Sequence, residues 1–532
     1  MKRPLATTLC LYGAVVAFVA LSVLPVLSVL VQGVLPAGRP PLSPFAEVYG
    51  PRHIGLLART LALAAGTTAL ASIIGLPVGF LLSRTDVPGR GALRILSFTP
   101  LVLPPYVSAV AWIYLLGSHG ALNVVAMRAL GLSQAPVAVQ GLGGAIWCLA
   151  LSFWPVVAVV SGAAFRRVDA DLEDAALLDA SRTATTVRVA LPLAAPALLA
   201  SALFVALLTL TEFGAPDLLM PSAPAYTTEI YAEFTGRFDT PRAAADSVPL
   251  VVVGLVMLAS VWAIARHAGL VGSAGPRRPP DIPLGRGRGV AFAFCLLAIL
   301  VSAGLPLAAL LVLGHRPSAY VAALESLPTQ ARNSLVFAGA GAAVALALSI
   351  PMSYLVARGR RLERSFTAAL AVLPIALPGA VVGIGLVWLF NKPWLFGSLP
   401  SAWRWPELPL AYAARFTPYA VGAVAAAFAQ IGTELDDAAA VEGAGWWQTL
   451  RRVLLPLSWR GVFAGAAVVF VLGMREIAAS VLLYPPGNDT ITMQVFQMMH
   501  YGADEQIAAL CLMLVGVTLV PLALLARVWR EE

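Results

Sequence analysis

Charged side chains are scarce in this chain of 532 residues: they make up 12% of it, whereas hydrophobic residues make up 59%. The mean hydropathy is correspondingly high, at +0.84. A soluble domain of this size could not bury so much apolar surface, so the composition indicates a membrane protein. The net charge of +8 would suggest nucleic-acid binding in a soluble protein. Here we attribute it to loop arginines beside a bilayer, and we expect no nucleic-acid partner.

Several kinds of functional site are missing. The four cysteines (Cys10, Cys148, Cys295 and Cys511) lie in apolar stretches without CxxC spacing, which is typical of buried hydrophobes and not of disulfides or metal ligands. There is no GxxxxGK[ST] phosphate loop, so the chain is expected to bind no ATP and no other cofactor itself. His500 is a lone histidine with no cluster of ligands around it, and no metal site is predicted. Without a nucleophile–base pair, an enzyme is not predicted either.

The sequence contains long apolar runs instead of such sites. A single span needs about 20 apolar residues and must satisfy its own backbone hydrogen bonds, which dictates helices. The sequence therefore predicts an all-α integral membrane protein with about 12 transmembrane helices. The predicted spans lie near 8–32, 54–82, 97–117, 137–165, 195–219, 246–268, 289–314, 333–357, 366–390, 409–430, 459–484 and 505–528.

Basic residues predict the orientation of these spans. With the N-terminus in the cytoplasm, the cytoplasmic segments hold roughly two thirds of the 35 Lys and Arg residues, as the positive-inside rule requires. The first apolar run exceeds the core of a cleaved signal peptide, which is about 7–15 residues long, so it is interpreted as an uncleaved span. We therefore expect a multi-pass membrane protein with both termini in the cytoplasm.

The chain also repeats itself. Residues 59–84 align with 333–358, sharing Pro77 with Pro351 and Arg84 with Arg358, and Leu103-Pro104 aligns with Leu377-Pro378. Six spans per half make the two repeats parallel. The predicted units are 1–270 and 290–532, and the basic segment 271–289, rich in Pro and Gly, is the predicted cytoplasmic linker.

An acidic, Ala-rich segment occurs once in each half. DLEDAALLDAS begins at Asp171 and ELDDAAAVEGA begins at Glu434, and each runs on to a Leu-Pro pair, so the loops cover 171–192 and 434–456. One such segment would be an ordinary solvated loop, whereas two at matching places indicate a shared role. In the second copy, Ala438 to Ala440 favour a helix, Gly443 can supply a turn with positive φ, and Trp446 to Leu454 predict a second short helix.

These segments resemble the EAA loop of the permease subunits of binding-protein-dependent ABC transporters, in which E-A-A-x-x-x-G is followed by Leu-Pro. Asp replaces Glu in both copies, while the first copy has Ala180 in place of the glycine and is one residue shorter. The residues that match the motif or flank it are Glu173, Asp174, Ala175, Ala176, Asp179, Ala180, Leu191 and Pro192, and Asp436, Asp437, Ala438, Ala439, Glu442, Gly443, Leu455 and Pro456.

The resemblance implies a type I ABC importer permease fold made of two fused six-helix units, located in the bacterial inner membrane. It also implies that these loops couple the permease to ATP hydrolysis by two copies of a separate ATPase subunit, and that a periplasmic or extracellular solute-binding protein delivers the substrate. FGAPDLL (213–219), YTTEIY (226–231) and REIAASVLLYPPG (475–487) are most similar to the ferric-iron permeases. Thiamine, polyamine and aminoethylphosphonate permeases share related segments and remain alternatives. A secondary transporter with 12 helices, driven by an ion gradient, is the alternative class.

Two aligned acids, Glu212 and Glu476, lie inside the predicted fifth and eleventh spans. Ionisable groups in a membrane usually face the bundle interior or water. One hypothesis puts both acids on the translocation pathway, where they would favour a cationic or metal-bearing substrate. The other gives them a structural role, with Glu476 pairing with its neighbour Arg475.

Overall fold

A computed structural model describes residues 4–36, 38, 40–267, 277, 279–400, 403–484, 487–499 and 504–530. Regular structure in these ranges is helical, and the strand-like contact among them is a single bridge between Thr85 and Ile282. The predicted all-α class is therefore confirmed. Many apolar side chains on the long helices point outwards, such as Leu5, Ile73 and Val290, as expected of surfaces that a bilayer covers.

The helices of the first repeat begin and end as follows: Leu5–Ser22, Leu24–Val34, Ser43–Val48, Pro51–Arg84, Arg90–Leu96, Thr99–Val102, Pro105–Leu116, Ala121–Leu130, Leu142–Arg166, Ala170–Leu177, Arg182–Thr185, the π-helix Thr186–Ala190, Leu191–Thr211, Gly214–Leu219, Tyr226–Thr235 and Thr240–His267.

The second repeat contains the 3₁₀-helix Gly285–Gly287, Arg288–Ile299, the π-helix Leu300–Gly304, Leu305–Leu313, Pro317–Arg358, Arg361–Val372, the 3₁₀-helix Leu373–Ala376, Gly379–Phe390, the π-helix Pro393–Gly397, Glu407–Gln430, Glu434–Val441, Trp446–Thr449, the π-helix Leu450–Leu454, Leu455–Leu457, Trp459–Met474, Ser480–Leu483, Ile491–Met499 and Asp504–Arg530.

Fewer helices than predicted qualify as spans by length and hydropathy. Within the described ranges there are 8, or up to 10 if each of two bent helix pairs counts as one span. The two predicted spans outside this count are nevertheless helical, at Glu407–Gln430 and Asp504–Arg530. The pattern of apolar runs thus located the helices better than it established how many cross the membrane.

Two predicted spans are broken where the sequence repeats a Leu-Pro pair. Leu103 and Leu377 both have extended backbones, with ψ of 117° and 123°, because a following proline disfavours the helical region. In the second repeat the helices on either side of the break meet at 102°. The continuous helices predicted over 97–117 and 366–390 are therefore wrong at these positions.

The helices form two compact units. One consists of Met1–Val48, Ile230–Val248 and Arg316–Glu532. In its core, Leu11, Val15 and Phe18 from the first helix pack against Met352 and Leu355 of the helix Pro317–Arg358. Ser22 donates a hydrogen bond of 2.8 Å to the Ala414 carbonyl. The first helix of the chain is thus packed among helices of the second repeat.

The other unit consists of Tyr49–Glu229 and Pro249–His315. Its longest helix, Pro51–Arg84, approaches Leu142–Arg166 so closely that a Cβ on Gly79 would lie 2.4 Å from the Ala158 carbonyl oxygen. Such close approach of helix backbones is typical of membrane proteins, where small residues allow tight van der Waals packing. Packing groups the helices differently from the repeats, and the unit boundaries 1–270 and 290–532 stay a prediction about sequence duplication.

Candidate functional site

The predicted acidic segment of the first repeat contains a helix, Ala170–Leu177, which we call the first acidic helix. Asp169 caps it, because its side chain accepts a hydrogen bond of 3.1 Å from the Asp171 amide. Asp171 and Glu173 lie in the first turn. Carboxylates there are favourable because the N-terminal end of a helix carries a partial positive charge.

A buried ion pair joins this helix to the long helix Pro51–Arg84. Arg84 is 2% exposed and Glu173 is 8% exposed. The two guanidinium nitrogens Nη1 and Nη2 of Arg84 donate to the two carboxylate oxygens of Glu173 at 2.9 and 2.6 Å. Arg84 also donates to the Phe165 carbonyl at 2.9 Å. A bidentate, charge-assisted contact of this kind fixes both the position and the orientation of the first acidic helix relative to the long helix.

The second repeat contains the matching element, Glu434–Val441, which we call the second acidic helix. Arg358 ends the long helix Pro317–Arg358, and its Nε donates to Asp436 Oδ2 at 2.6 Å. Its Nη2 donates to the Ile431 carbonyl at 2.6 Å. Arg358 aligns with Arg84, and Asp436 aligns with Glu173. Both acidic helices are therefore tied by the same pair of positions.

All four of these residues stand out in the sequence, but their pairing does not. Arg84 and Arg358 occupy a repeated position, and Glu173 and Asp436 belong to the acidic motif. The signal that could have linked them is the repetition itself, because a charge pair kept at both places in two halves suggests a contact.

The two acidic helices end differently. Gly443 has φ of +77°, its amide donates to the Ala440 carbonyl at 3.1 Å, and the Ala444 amide donates to the Ala439 carbonyl at 2.9 Å. This is a Schellman motif, which uses a glycine in the left-handed region, as predicted for Gly443. The first helix ends without positive φ, through the Leu178 and Asp179 amides on the Ala175 and Ala176 carbonyls at 3.3 Å each.

After each turn the chain forms a second short helix that leads to the Leu-Pro pair. This helix starts at Arg182 in the first repeat and, as predicted, at Trp446 in the second. The next segment is a π-helix in both repeats, ending where the Leu191 amide bonds to the Thr186 carbonyl and the Leu455 amide bonds to the Leu450 carbonyl. Pro192 and Pro456 then stand in the first turn of the following helix, where a missing N–H is harmless.

Both acidic helices expose apolar side chains beside their carboxylates. Leu178 is 84% exposed and the aligned Val441 is 86% exposed. Asp437 and Glu442 are exposed, and Asp174 is partly exposed. Apolar side chains with a polar rim are typical of protein–protein contacts. The arrangement is suited to contact with another protein.

Glu212 and Glu476 do not lie inside helical spans, contrary to the sequence prediction. The helix Leu191–Thr211 ends before Glu212, which has an extended backbone with ψ of 138°. The helix Trp459–Met474 ends two residues before Glu476. Both acids therefore stand where a helix breaks, at matching places in the two repeats.

The surroundings of these two acids differ. Glu476 forms an ion pair with Arg415, and its Oε1 accepts a bond of 2.9 Å from the Ala479 amide. Glu212 is partly exposed, and its main-chain carbonyl accepts a bond of 2.9 Å from Thr227 Oγ1. In the part of the chain that the structure describes, no three His, Cys, Asp or Glu residues could hold a metal ion. His500 lies outside the described residues.

A model of one protein family matches the chain twice. The family is described as the binding-protein-dependent transport system inner membrane component, and the matches cover residues 51–270 and 345–530. The chain belongs to this family of ABC importer permeases. Each match contains one acidic helix with its anchoring arginine, so both elements belong to the repeated permease unit.

Individual relatives of this permease agree with the family match. The chain is 26% identical over 491 residues to the Fe(3+)-transport system permease protein FbpB 2 of Haemophilus influenzae, covering 90% of this chain and 91% of the relative. It is 27% identical over 487 residues to the probable ABC transporter permease protein y4fN of Sinorhizobium fredii, covering 87% and 84%. A putative 2-aminoethylphosphonate transport system permease protein, PhnV of Salmonella paratyphi A, is 30% identical over 160 residues, covering 30% and 58%.

The buried pair of the permease predicts unequal effects of two arginine substitutions. Arg84→Ala leaves Glu173 buried without its partner, which typically costs about 3–5 kcal/mol. Arg358→Ala is expected to cost less because its partner Asp436 is more exposed. Amide hydrogen exchange of the permease in lipid nanodiscs measures both, and exchange across 169–181 is expected to rise more in Arg84→Ala than exchange across 433–444 rises in Arg358→Ala.

The double variant Arg84→Met with Glu173→Leu is the control for this prediction. Replacing both charges with apolar groups of similar volume removes the unpaired charge, so slow exchange across 169–181 is expected to return. Equal exchange in the single and the double variant would show that the charge pair does not hold the helix.

Proposed function

We propose that this permease forms the translocation pathway of an importer for ferric iron and that its two acidic helices are the docking sites of two separate ATPase subunits. A periplasmic or extracellular solute-binding protein delivers the substrate on the opposite face. The observation that carries the proposal is the repeated anchoring of an exposed acidic helix, by Arg84–Glu173 and Arg358–Asp436. The positive-inside pattern favours a cytoplasmic position for both helices and for both termini.

Anchoring of this kind supports coupling because movement of an acidic helix at the surface is transmitted to a helix within the membrane. A subunit bound to Leu178 or Val441 would move an acidic helix, and the paired arginine would pass that movement to the end of a long helix. The short helix and Leu-Pro pair after each turn connect the same point to the next span. A subunit bound to an acidic helix can therefore shift the long helix and the following span together.

The division of labour follows from the sequence as well. The chain has no phosphate-binding loop of the GxxxxGK[ST] type, so ATP is bound and hydrolysed by the partner subunits. We expect the permease to carry neither a cofactor nor a catalytic residue of its own. Family membership also favours this ATP-driven scheme over the ion-coupled secondary transporter considered from the sequence.

Ferric iron is the favoured substrate because a relative named as an Fe(3+) permease aligns over nine tenths of both chains. The relative named for aminoethylphosphonate aligns over 30% of this chain. Thiamine, polyamine and aminoethylphosphonate remain the competing substrates. The two acids at helix breaks, Glu212 and Glu476, are consistent with a cationic cargo, and we propose that both line the pathway.

Reconstitution tests the class and the substrate together. Proteoliposomes containing the permease, its ATPase subunit and its solute-binding protein are expected to take up radiolabelled ferric iron when ATP is inside. Omitting the ATPase subunit should abolish uptake. Exchange that continues without ATPase would contradict the ABC scheme. Uptake of aminoethylphosphonate, thiamine or polyamine in place of iron would leave the scheme intact and change the substrate.

The difference between the two turns predicts a difference in coupling. Gly443→Val forces a β-branched residue to φ near +77°, and such strain costs about 1–3 kcal/mol. ATP hydrolysis should then continue with less uptake for each ATP hydrolysed, measured by phosphate release and iron uptake in the same vesicles. Ala180→Val, at a position without positive φ, is the matched control and should be milder. Equal defects in both variants would contradict this role of the turn.

The pathway assignment predicts that charge matters more than size at the two acids. Glu212→Gln and Glu476→Gln are expected to reduce iron uptake about tenfold or more, as expected for loss of hydrogen bonds to a charged group, whereas Glu→Asp at each position should retain most of it. Glu407→Gln, which also alters a buried carboxylate, is the control. If the Gln variants transport normally, the acids do not contact the cargo. If their thermal stability falls together with uptake, their role is structural.

A further inference from the structure

The described part of the predicted linker lies along the first acidic helix and the end of its anchoring helix. We call this segment, Arg277 with residues 279–288, the strap. It belongs to the same compact unit as the first acidic helix. The function proposed above uses the acidic helix and gives the strap no role. The strap nevertheless forms bonds with the first acidic helix and with the end of its anchoring helix.

The strap is held in place by backbone and side-chain bonds. The Ile282 amide donates to the Arg84 carbonyl at 2.7 Å, and Ile282 forms a parallel bridge with Thr85. Asp281 pairs with Arg90 at 2.5 Å. Arg84 is therefore shared, because its side chain holds the acidic helix while its main chain holds the strap.

Asp86 adds a third attachment. Its carboxylate accepts bonds from Arg288 Nε and from the Leu284 amide, each at 2.9 Å. The Arg288 guanidinium and then the Leu284 amide lower the pKa of Asp86 below its ordinary value of 3.8. A lowered pKa means that this contact is fully present above the ordinary value and is lost as the pH falls through the folded-state value. The contact of Asp86 with Arg288 and Leu284 is thus fully present at neutral pH.

At its first described residue, the strap reaches the N-terminal end of the first acidic helix. The Ala170 amide, in the first turn, donates to the Arg277 carbonyl at 3.4 Å. The first amides of a helix have no partner within the helix, so the strap supplies one. Arg277 Nη1 also lies 3.4 Å from Asp171 Oδ1 and 3.3 Å from Asp174 Oδ2. Asp171 and Asp174 are three positions apart and therefore share one face of the helix.

The second acidic helix is held at its opposite end. Gly443 closes its C-terminus through the Schellman motif. Asp437, which aligns with Asp174, is exposed, and among the described residues no basic side chain forms an ion pair with it. The first helix lacks the glycine turn and has the strap, whereas the second has the glycine turn and an exposed Asp437.

We propose that the strap is part of the first ATPase docking surface: it positions the first acidic helix and adds the positive charge of Arg277 to the acidic face that the ATPase subunit contacts. This inference rests on the proposed function of the acidic helices. It makes the linker a docking element as well as a connection, and it gives the two docking surfaces different charges. An ATPase subunit therefore meets an arginine at one site and the exposed carboxylate of Asp437 at the other.

Charge reversal in the strap tests the proposal, with an arginine of the same linker as control. Arg277→Glu places a carboxylate beside Asp171 and Asp174 and should drive the strap from the helix. Arg286→Glu reverses an exposed charge that has no ion pair among the described residues. Amide exchange across 170–177 in nanodiscs should rise about fivefold in Arg277→Glu, as for loss of an N-terminal cap. It should stay unchanged in Arg286→Glu, and exchange across 434–441 should not change in either variant.

Binding of the purified ATPase subunit is the second measurement. In Arg277→Glu, the affinity for the ATPase subunit should fall at one of the two sites on each permease, so titration with that subunit becomes biphasic. Arg286→Glu should bind the subunit like the unmodified chain. Adding Asp171→Arg to Arg277→Glu restores attraction between strap and helix and should restore slow exchange and uniform binding. Loss of binding at both sites, or identical behaviour of the two linker variants, would overturn the proposal. An unmodified permease that binds no ATPase subunit would instead refute the proposed function, whatever the exchange data show.

Discussion

The position of each acidic helix depends on one arginine at the end of a long helix. Arg84 and Arg358 each hold a carboxylate of an acidic helix and a main-chain carbonyl. A guanidinium that is largely withdrawn from water needs a carboxylate nearby, because an unpaired buried charge is costly. The acidic helix therefore cannot move away from the long helix without breaking the pair, and it can move with the long helix at little cost. The proposed coupling role requires this property of the acidic helices.

Proline placement sets the other constraint on movement. Leu191-Pro192 and Leu455-Pro456 follow π-helical segments, in which the wider turn accommodates a residue that cannot donate its own hydrogen bond. In the second repeat the helix then bends by 79° at Ser458, while in the first it runs on through Thr211. The same motif is thus followed by a bent helix in the second repeat and by a continuous helix in the first. The two repeats therefore differ here as well as in their turns.

Sequence patterns predicted the elements whose causes are local. Composition and apolar runs indicated helices, Ala438 to Ala440 indicated the second acidic helix, and Gly443 indicated a turn with positive φ. The contacts that these patterns missed join residues that are distant in the sequence. The pairing of Arg84 with Glu173 joins residues that are far apart in sequence, and the packing of Phe18 against Met352 joins the first helix to the second repeat. Neither contact leaves a periodic signal within a short window.

The breaks before Glu212 and Glu476 were also missed, although for a different reason. Their flanking segments are apolar enough to extend a span, and hydropathy alone cannot distinguish a helix from a break that other groups satisfy. Thr227 and Thr492 supply those groups, donating to the carbonyls of Glu212 and Met474 at 2.9 and 2.7 Å. In the first repeat the hydroxyl reaches the carbonyl of the acid itself, whereas in the second it reaches the carbonyl two residues before the acid. In both repeats a threonine hydroxyl therefore satisfies a carbonyl that the end of the helix leaves without an intrahelical partner. The two repeats reach the same break with different hydrogen bonds, just as they close their acidic helices with different turns.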